Sequence, residues 1–177
     1  MMKVPVLETE RLLLRPLSLE DAEEIFQNWT SDPEVARFMR WNTHQSVEDT
    51  REWLRSELDD PLSPSCYDWG FVCKTDGRLI GSGGLVFQEQ KGMYELGYNL
   101  MKKYWNQGLA TEAAREIVRY ALEDLGQTQL FCCHAKENPA SGRVMEKAGF
   151  VYQQDGEYSK LDNSRHFETK EYILNCL

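Results

Sequence analysis

The stretch Trp105-Asn106-Gln107-Gly108-Leu109-Ala110-Thr111-Glu112-Ala113 puts small, flexible residues where a strand-like apolar run gives way to a helical pattern. The first N–H groups of a helix lack intrahelical partners and lie at the positive end of its dipole, so such a turn suits a phosphate or pyrophosphate. The spacing is neither G-x-x-x-x-G-K-[ST] nor G-x-G-x-x-G, which argues against a nucleoside triphosphate or dinucleotide site. Taken alone, the segment reads equally well as a phosphate cradle or as an ordinary strand-to-helix turn. A second group, Cys132-Cys133-His134, combines a thiol and an imidazole. An activated thiolate needs an electropositive setting that this apolar run lacks, so the histidine reads as structural. The five cysteines (Cys66, Cys73, Cys132, Cys133, Cys176) form no C-x-x-C pair and no metal-finger spacing. They read as reduced, mostly buried thiols, and no metal site is expected.

The elements that must position the loop follow from periodicity. Arg11 to Pro16 is an apolar run closed by proline, a predicted strand. Ser18 is placed to cap a helix carrying Ala22, Ile25, Phe26 and Trp29 at helical spacing, and Asp32-Pro33 repeats the start signal. Ser46 opens a third helical pattern with Val47, Thr50, Trp53, Leu54 and Leu58 on its apolar side. The period then changes to two: Trp69 to Cys73, a two-residue hairpin turn at Asp76-Gly77, Leu79 to Phe87, a turn at Gln90-Lys91-Gly92, and Met93 to Leu100. Gly81, Gly83 and Gly84 suggest a bulge or close backbone packing. After the loop come a helical stripe from Ala113 to Leu125 ending at Gly126, a strand Leu130 to Ala135, and a helix opened by Asn138-Pro139 with Gly149 past its end. Strands over Phe150 to Gln154 and His166 to Leu174 complete the chain. A parallel crossover in an otherwise antiparallel sheet makes the fold class α/β, or α+β. Asp59 to Ser65 reads as a surface loop.

With 177 residues, 41% of them hydrophobic, the chain is expected to form one domain spanning 1–177. No apolar run approaches the ~20 residues that a membrane span needs. The first residues, Met1 to Pro5, lack a signal-peptide core, so a cytoplasmic protein is expected. A net charge of -9 argues against binding nucleic acid and is compatible with a cationic partner such as an amine.

Four pieces in order, Glu95-Leu96-Gly97-Tyr98-Asn99-Leu100, Tyr104 to Ala113, Asn138-Pro139-Ala140-Ser141 and Glu146-Lys147-Ala148-Gly149-Phe150, resemble the GCN5-related N-acetyltransferase superfamily. The opening Leu7 to Arg15 is similar to the first strand of its RimJ/RimL-like branch, and the resemblance runs from about Leu7 to Leu174. It implies a mixed, mostly antiparallel sheet whose central parallel strands splay apart around acetyl-CoA, flanked by helices. Backbone groups of Leu100 and Met101 would pair with the pantetheine arm as an added strand. The N–H groups of Asn106, Gln107, Gly108, Leu109, Ala110 and Thr111 would hold the pyrophosphate. Asn138 would meet the pantetheine amides, and Arg143 or Lys102 the 3′-phosphate.

The implied reaction is direct attack of a primary amine on the thioester, the amine belonging to a protein N-terminus or to a small molecule. Glu95 corresponds to the general base of some members and otherwise reads as a solvated or ion-paired strand residue. The tyrosine that often serves as general acid is replaced by Met145, and Trp105 stands where the wider superfamily often has Arg or Gln. Ser141 then becomes the candidate donor to the departing thiolate, or else a hydroxyl that satisfies its own helix turn. Arg37, Arg40 or Trp41 would border the acceptor cleft. A homodimer is an arrangement the resemblance allows. The alternative function is a non-catalytic CoA-binding or regulatory module of the same fold, which the missing tyrosine supports.

Overall fold

Leu12 and Leu14 are buried while Leu13 and Arg15 are only partly covered, the period of two that a strand on a covered sheet face requires. In the computed structural model, which describes residues 4–58 and 66–176, Leu7–Glu8 (β1) doubles back on Leu12–Arg15 (β2). The opening stretch is therefore two short antiparallel strands rather than one. The loop expected at Asp59 to Ser65 lies outside the described residues.

The first helical pattern splits into a 3-10 turn Leu19–Asp21, α1 (Ala22–Ile25) and a π turn Phe26–Thr30. The Asp21 carboxylate fixes its start, accepting from the Ser18 N–H at 2.8 Å and from both Arg15 terminal nitrogens at 2.8 and 2.9 Å. Asp32 caps α2 (Pro33–Ala36), accepting from the Glu34 N–H at 2.9 Å. A capping box opens α3 (Val47–Leu58): the Asp49 N–H donates to Ser46 Oγ, and the Ser46 N–H donates to Asp49 Oδ2. These helices bury Ile25, Trp29 and Leu54 against Leu17 and Leu79, making a smaller core on one face of the sheet.

Strands β3 (Cys66–Cys73), β4 (Leu79–Gln88) and β5 (Met93–Leu100) form the expected antiparallel meander. The β3–β4 turn is longer than the predicted two residues. Cys73 pairs with Arg78 through its N–H, leaving Lys74 to Gly77 as the loop, with Gly77 at φ +69°. Both expectations for the glycine run are met: a Cβ at Gly84 would stand 1.8 Å from the Tyr67 carbonyl oxygen, and the β3–β4 register shifts between Phe71 and Val72, opposite Leu79 to Gly81.

The chain continues as α4 (Leu109–Glu123), β6 (Gln129–Ala135), α5 (Pro139–Lys147), β7 (Val151–Ser159) and β8 (His166–Asn175). The last two strands extend past the predicted ends because they pair with each other along their whole length. The eight strands run β1-β2-β3-β4-β5-β6-β8-β7, and among the described residues β5 and β6 are the parallel neighbours. Helix α4 lays Ala113, Ala114, Ile117 and Ala121 on Leu96, Leu100 and Leu130 in the larger core. Each fully buried Ile or Leu contributes about 1.5–3 kcal/mol, against ~0–1 kcal/mol for an exposed pair such as Arg119–Glu116, so packing holds the frame. Among the described residues no helix is long and apolar enough to cross a membrane.

Candidate functional site

The parallel strands β5 and β6 pair only at Tyr94 with Leu130 and Glu95 with Phe131, and beyond that point no ladder joins them. The gap that opens leaves one edge of β5 without a strand partner. The Met101 N–H bonds the Ile80 carbonyl at 2.6 Å, which fixes the alternation along β5. Glu95, Gly97, Asn99 and Met101 turn their backbone groups to β4, while Leu96, Tyr98 and Leu100 turn theirs to the gap. The expectation for Met101 is thereby corrected: its N–H is spent on β4, and its carbonyl accepts from the Tyr104 N–H at 2.9 Å. Leu100 does face the gap, though its carbonyl already accepts from Trp105 Nε1 at 2.7 Å. Trp105 thus ties the end of β5 to the loop.

In that loop Asn106 (φ +60°) and Gly108 (φ +77°) both adopt left-handed backbone, turning the chain sharply into α4. No side chain caps the helix, and its first intrahelical bond comes from Glu112 to Gly108. The N–H groups of Leu109, Ala110 and Thr111 are left without helical partners. Arg11, from the turn between β1 and β2, clamps the loop by donating to the Gln107 carbonyl at 2.9 Å and to Glu112 Oε2 at 2.7 Å. Glu112 also accepts from the Thr9 hydroxyl and the Arg11 N–H, and these donors hold its carboxyl below the usual range against the pull of burial. The acid of the first turn is thereby neutralised.

A cavity of about 440 Å³ lies between this helix start and the start of α5, lined by Tyr98, Leu100, Asn106, Ala110, Asn138 and Arg143 among others. Gly108, Leu109 and Thr111 border it as well, whereas Gln107 and Met101 do not. The Asn138 side chain makes no capping bond. Arg143 has no ion-pair partner among the described residues, while Lys102 is closely paired with Glu34, so Arg143 is the freer cation for a phosphate. Ser141 meets Tyr98, whose hydroxyl lies 2.9 Å from both the Ser141 carbonyl oxygen and Ser141 Oγ. Burial pushes the Tyr98 phenol well above its ordinary value, so it stays protonated. Sequence reasoning missed Tyr98, although the two-residue period aligns it with Leu96 and Leu100. Met145 is buried in the core and places no polar atom here.

The other face of β5 carries Glu95, Gly97 and Asn99. The Glu95 side chain is 15% exposed; its Oε2 accepts from Gln88 Nε2 at 2.6 Å, and its Oε1 lies 3.4 Å from Arg40 Nη2 and 3.5 Å from Cys133 Sγ. Nothing lies within 4 Å of the Cβ position of Gly97, so an open trough separates Glu95 from Asn99. At the end of that trough, where Asn99 also lines the cavity, Asn99 Oδ1 is buried without a partner, its amide nitrogen being held by Ser82 Oγ at 2.9 Å. Burial and the neighbouring Glu95 push the Cys133 thiol up to about 12, which rules against a resting thiolate.

The trough's wall is residues 36–42, pinned to the β7–β8 hairpin by the buried Lys160. Its ammonium donates to the carbonyls of Ala36, Met39 and Trp41 at 2.8, 2.9 and 3.0 Å. Arg37 and Arg40 both sit on this wall, whereas Trp41 packs beside His44. His134 is structural, its ring bonded to the Ala135 carbonyl and the Tyr172 hydroxyl and packed under Gly142.

A family model described as an acetyltransferase (GNAT) domain matches residues 11–151. The chain is 30% identical to the uncharacterized N-acetyltransferase p20 of Bacillus licheniformis, over 97% of this chain and 95% of that one. Ribosomal-protein-S5-alanine acetyltransferase from Vibrio fischeri superposes with a TM-score of 0.80 at 15% identity, covering 97% of this chain and 96% of that one. Microcin C7 self immunity acetyltransferase MccE, solved in complex with acetyl-CoA and AMP, gives a TM-score of 0.80 at 14% identity, over 95% and 94% of the two chains. At such identities these two structures show a shared fold.

Proposed function

From the premise that the chain belongs to the acetyltransferase (GNAT) domain family, we propose that this acetyltransferase moves the acetyl group of acetyl-CoA to a primary amine by direct attack, the whole chain acting as one domain of the RimJ/RimL-like branch. The observation that carries this reading is a gap in β5–β6 with an uncapped helix start on one side and the Glu95–Asn99 trough on the other. The N–H groups of Leu109 to Thr111 fit a pyrophosphate, and the free Asn138 amide fits the polar atoms of a pantetheine arm. The backbone edge of Tyr98 and Leu100 fits that arm as an added strand.

Acetyl-CoA supplies the activated carbonyl. Glu95 takes the proton from the amine, so that a lone pair rather than an ammonium faces the thioester. A gap-facing N–H of β5 meets the oxygen that becomes negative. Ser141 donates to the departing thiolate, while the Tyr98 hydroxyl, kept protonated by burial, donates to the Ser141 carbonyl and, with its oxygen 2.9 Å from Ser141 Oγ, holds the serine in place beside the gap. Tyr98→Phe then removes one hydrogen bond of about 1 kcal/mol and is expected to lower kcat about fivefold, with acetyl-CoA binding unchanged. Equal kcat values for Tyr98→Phe and wild type would remove tyrosine from this role.

The test of the reaction is thiol release from acetyl-CoA across a panel of amino acids, polyamines, amino sugars and short peptides with free N-termini. Wild type releases thiol with at least one acceptor class. Gly97→Val, whose extended backbone accepts a side chain but whose trough would be filled, is expected to slow that transfer about tenfold or more while still binding acetyl-CoA. Tight binding of acetyl-CoA with no acceptor turned over would contradict the enzyme and favour the CoA-binding module.

A further inference from the structure

The trough's wall gathers arginines in a chain whose net charge is -9. The Arg40 guanidinium stacks over the Tyr158 ring at 4.8 Å, Arg165 over Phe167 at 4.8 Å and Arg37 over Phe38 at 4.9 Å. The three rings touch in series, Phe38 to Phe167 at 6.0 Å and Phe167 to Tyr158 at 5.0 Å. Arg37 and Arg165 share the carboxylate of Glu137, at 3.7 and 3.2 Å, so one positive charge of that pair is unmatched. The Arg40 guanidinium has Glu95 as its one hydrogen-bonding side-chain partner among the described residues, at 3.4 Å, and the Arg40 side chain is 45% exposed. A guanidinium presents five N–H donors in a planar fork that matches a carboxylate, so Arg40 keeps an open edge after meeting Glu95 and Tyr158.

The trough floor has the opposite character. Glu95 and the unpartnered Asn99 Oδ1 are acceptors and suit N–H donors. Acceptors below and guanidinium donors beside them, with Arg40 touching Glu95, match a molecule whose amine and anionic group sit one or two carbons apart. Flat aromatic faces hold the arginines without neutralising them, so the donors stay available.

Resting on the transferase reading above, we infer that the acceptor is an amine bearing a neighbouring carboxylate, read by Arg40 with support from Arg165 and Arg37. The overall negative charge favours cationic amines at long range, but the groups within contact distance of the bound acceptor oppose that preference. Charge at contact decides specificity, because salt screens exposed charges farther away than about 8 Å under physiological conditions.

Matched acceptor pairs test this: β-alanine against propylamine, alanine against alaninamide, and spermidine as a cationic control. Wild type is expected to show kcat/KM at least about tenfold higher for the carboxylate member, the size of one charge-assisted hydrogen bond. Arg40→Gln brings that ratio close to one even if it also slows every acceptor through Glu95, and Arg165→Gln lowers the ratio by a smaller factor. A wild-type preference for propylamine, alaninamide or spermidine would overturn the inference while leaving the transferase standing. So would a ratio unchanged in Arg40→Gln. Failure of every amine, with acetyl-CoA still bound, would instead remove the transferase reading and this inference with it.

Discussion

Glu95→Gln is expected to lower kcat by about a thousandfold, within the range that a positioned general base supplies, and to leave acetyl-CoA affinity unchanged. The argument rests on where the carboxylate sits. Glu95 is the last residue of β5 in register with β6, so the strand is held on both sides at this point while the Glu95 backbone groups themselves face β4. Its side chain is absent from the lining of the cavity at the helix start and stands beside the open space over Gly97. Gln88 holds one of its oxygens at 2.6 Å, and the other meets Arg40 and Cys133 at longer range. An amide in its place has the same shape and keeps polar contact with these neighbours, so structure and CoA binding survive while proton acceptance is lost. Steady-state kcat with titrated acetyl-CoA binding separates the two effects. A fall of less than about tenfold would assign the proton to another group or to water.

Ala110→Asp is expected to weaken acetyl-CoA binding about a hundredfold, close to 2.8 kcal/mol, and to leave the fold as stable as before or slightly more so. An acid in the first turn of a helix is favourable on its own, because it meets the positive end of the dipole. The same acid would lie among the N–H groups that a pyrophosphate needs, where a like charge costs several kcal/mol. Arg11 cannot offset it, being committed to Gln107 and Glu112. Ala110→Asn has a similar size and no charge and is expected to lose far less. Isothermal titration with acetyl-CoA reads the binding, and a thermal melt reads the fold. Equal affinity in Ala110→Asp and wild type would move the phosphates away from the helix start.

Much of this was legible because it depends on local chemistry. The α4 stripe, its positive-φ ends at Gly108 and Gly126 and the Asn138-Pro139 start of α5 follow from periodicity and backbone preference. Asn106, Gly108, Leu109, Ala110 and Thr111, which line the cavity, lie in the motif between β5 and α4, whereas Tyr98, Phe38 and Met39 reach it from elsewhere in the chain. What escaped depends on distant parts of the chain meeting. Tyr98 and Ser141 are 43 residues apart and meet only because the strands splay. Lys160 reads as a surface lysine until the hairpin folds its ammonium onto three carbonyls more than a hundred residues earlier. The Met101 expectation failed for a simpler reason: one residue along a strand reverses which neighbour its N–H faces. The first helical pattern was right in existence and wrong in form, since packing of Trp29 and Ile25 on Leu79 accepts three helix types in succession.

The central claim is that acetyl passes directly from the thioester to an amine above Glu95. Single-turnover mixing of protein preloaded with acetyl-CoA against a saturating amine tests it, with free thiol, N-acetylated amine and acetylated protein measured together by mass spectrometry. The account predicts that thiol and acetylated amine appear at one rate and in equal amounts, with Cys133 unmodified throughout. Acetyl on Cys133 before any product, or thiol release that does not depend on the amine, would contradict it.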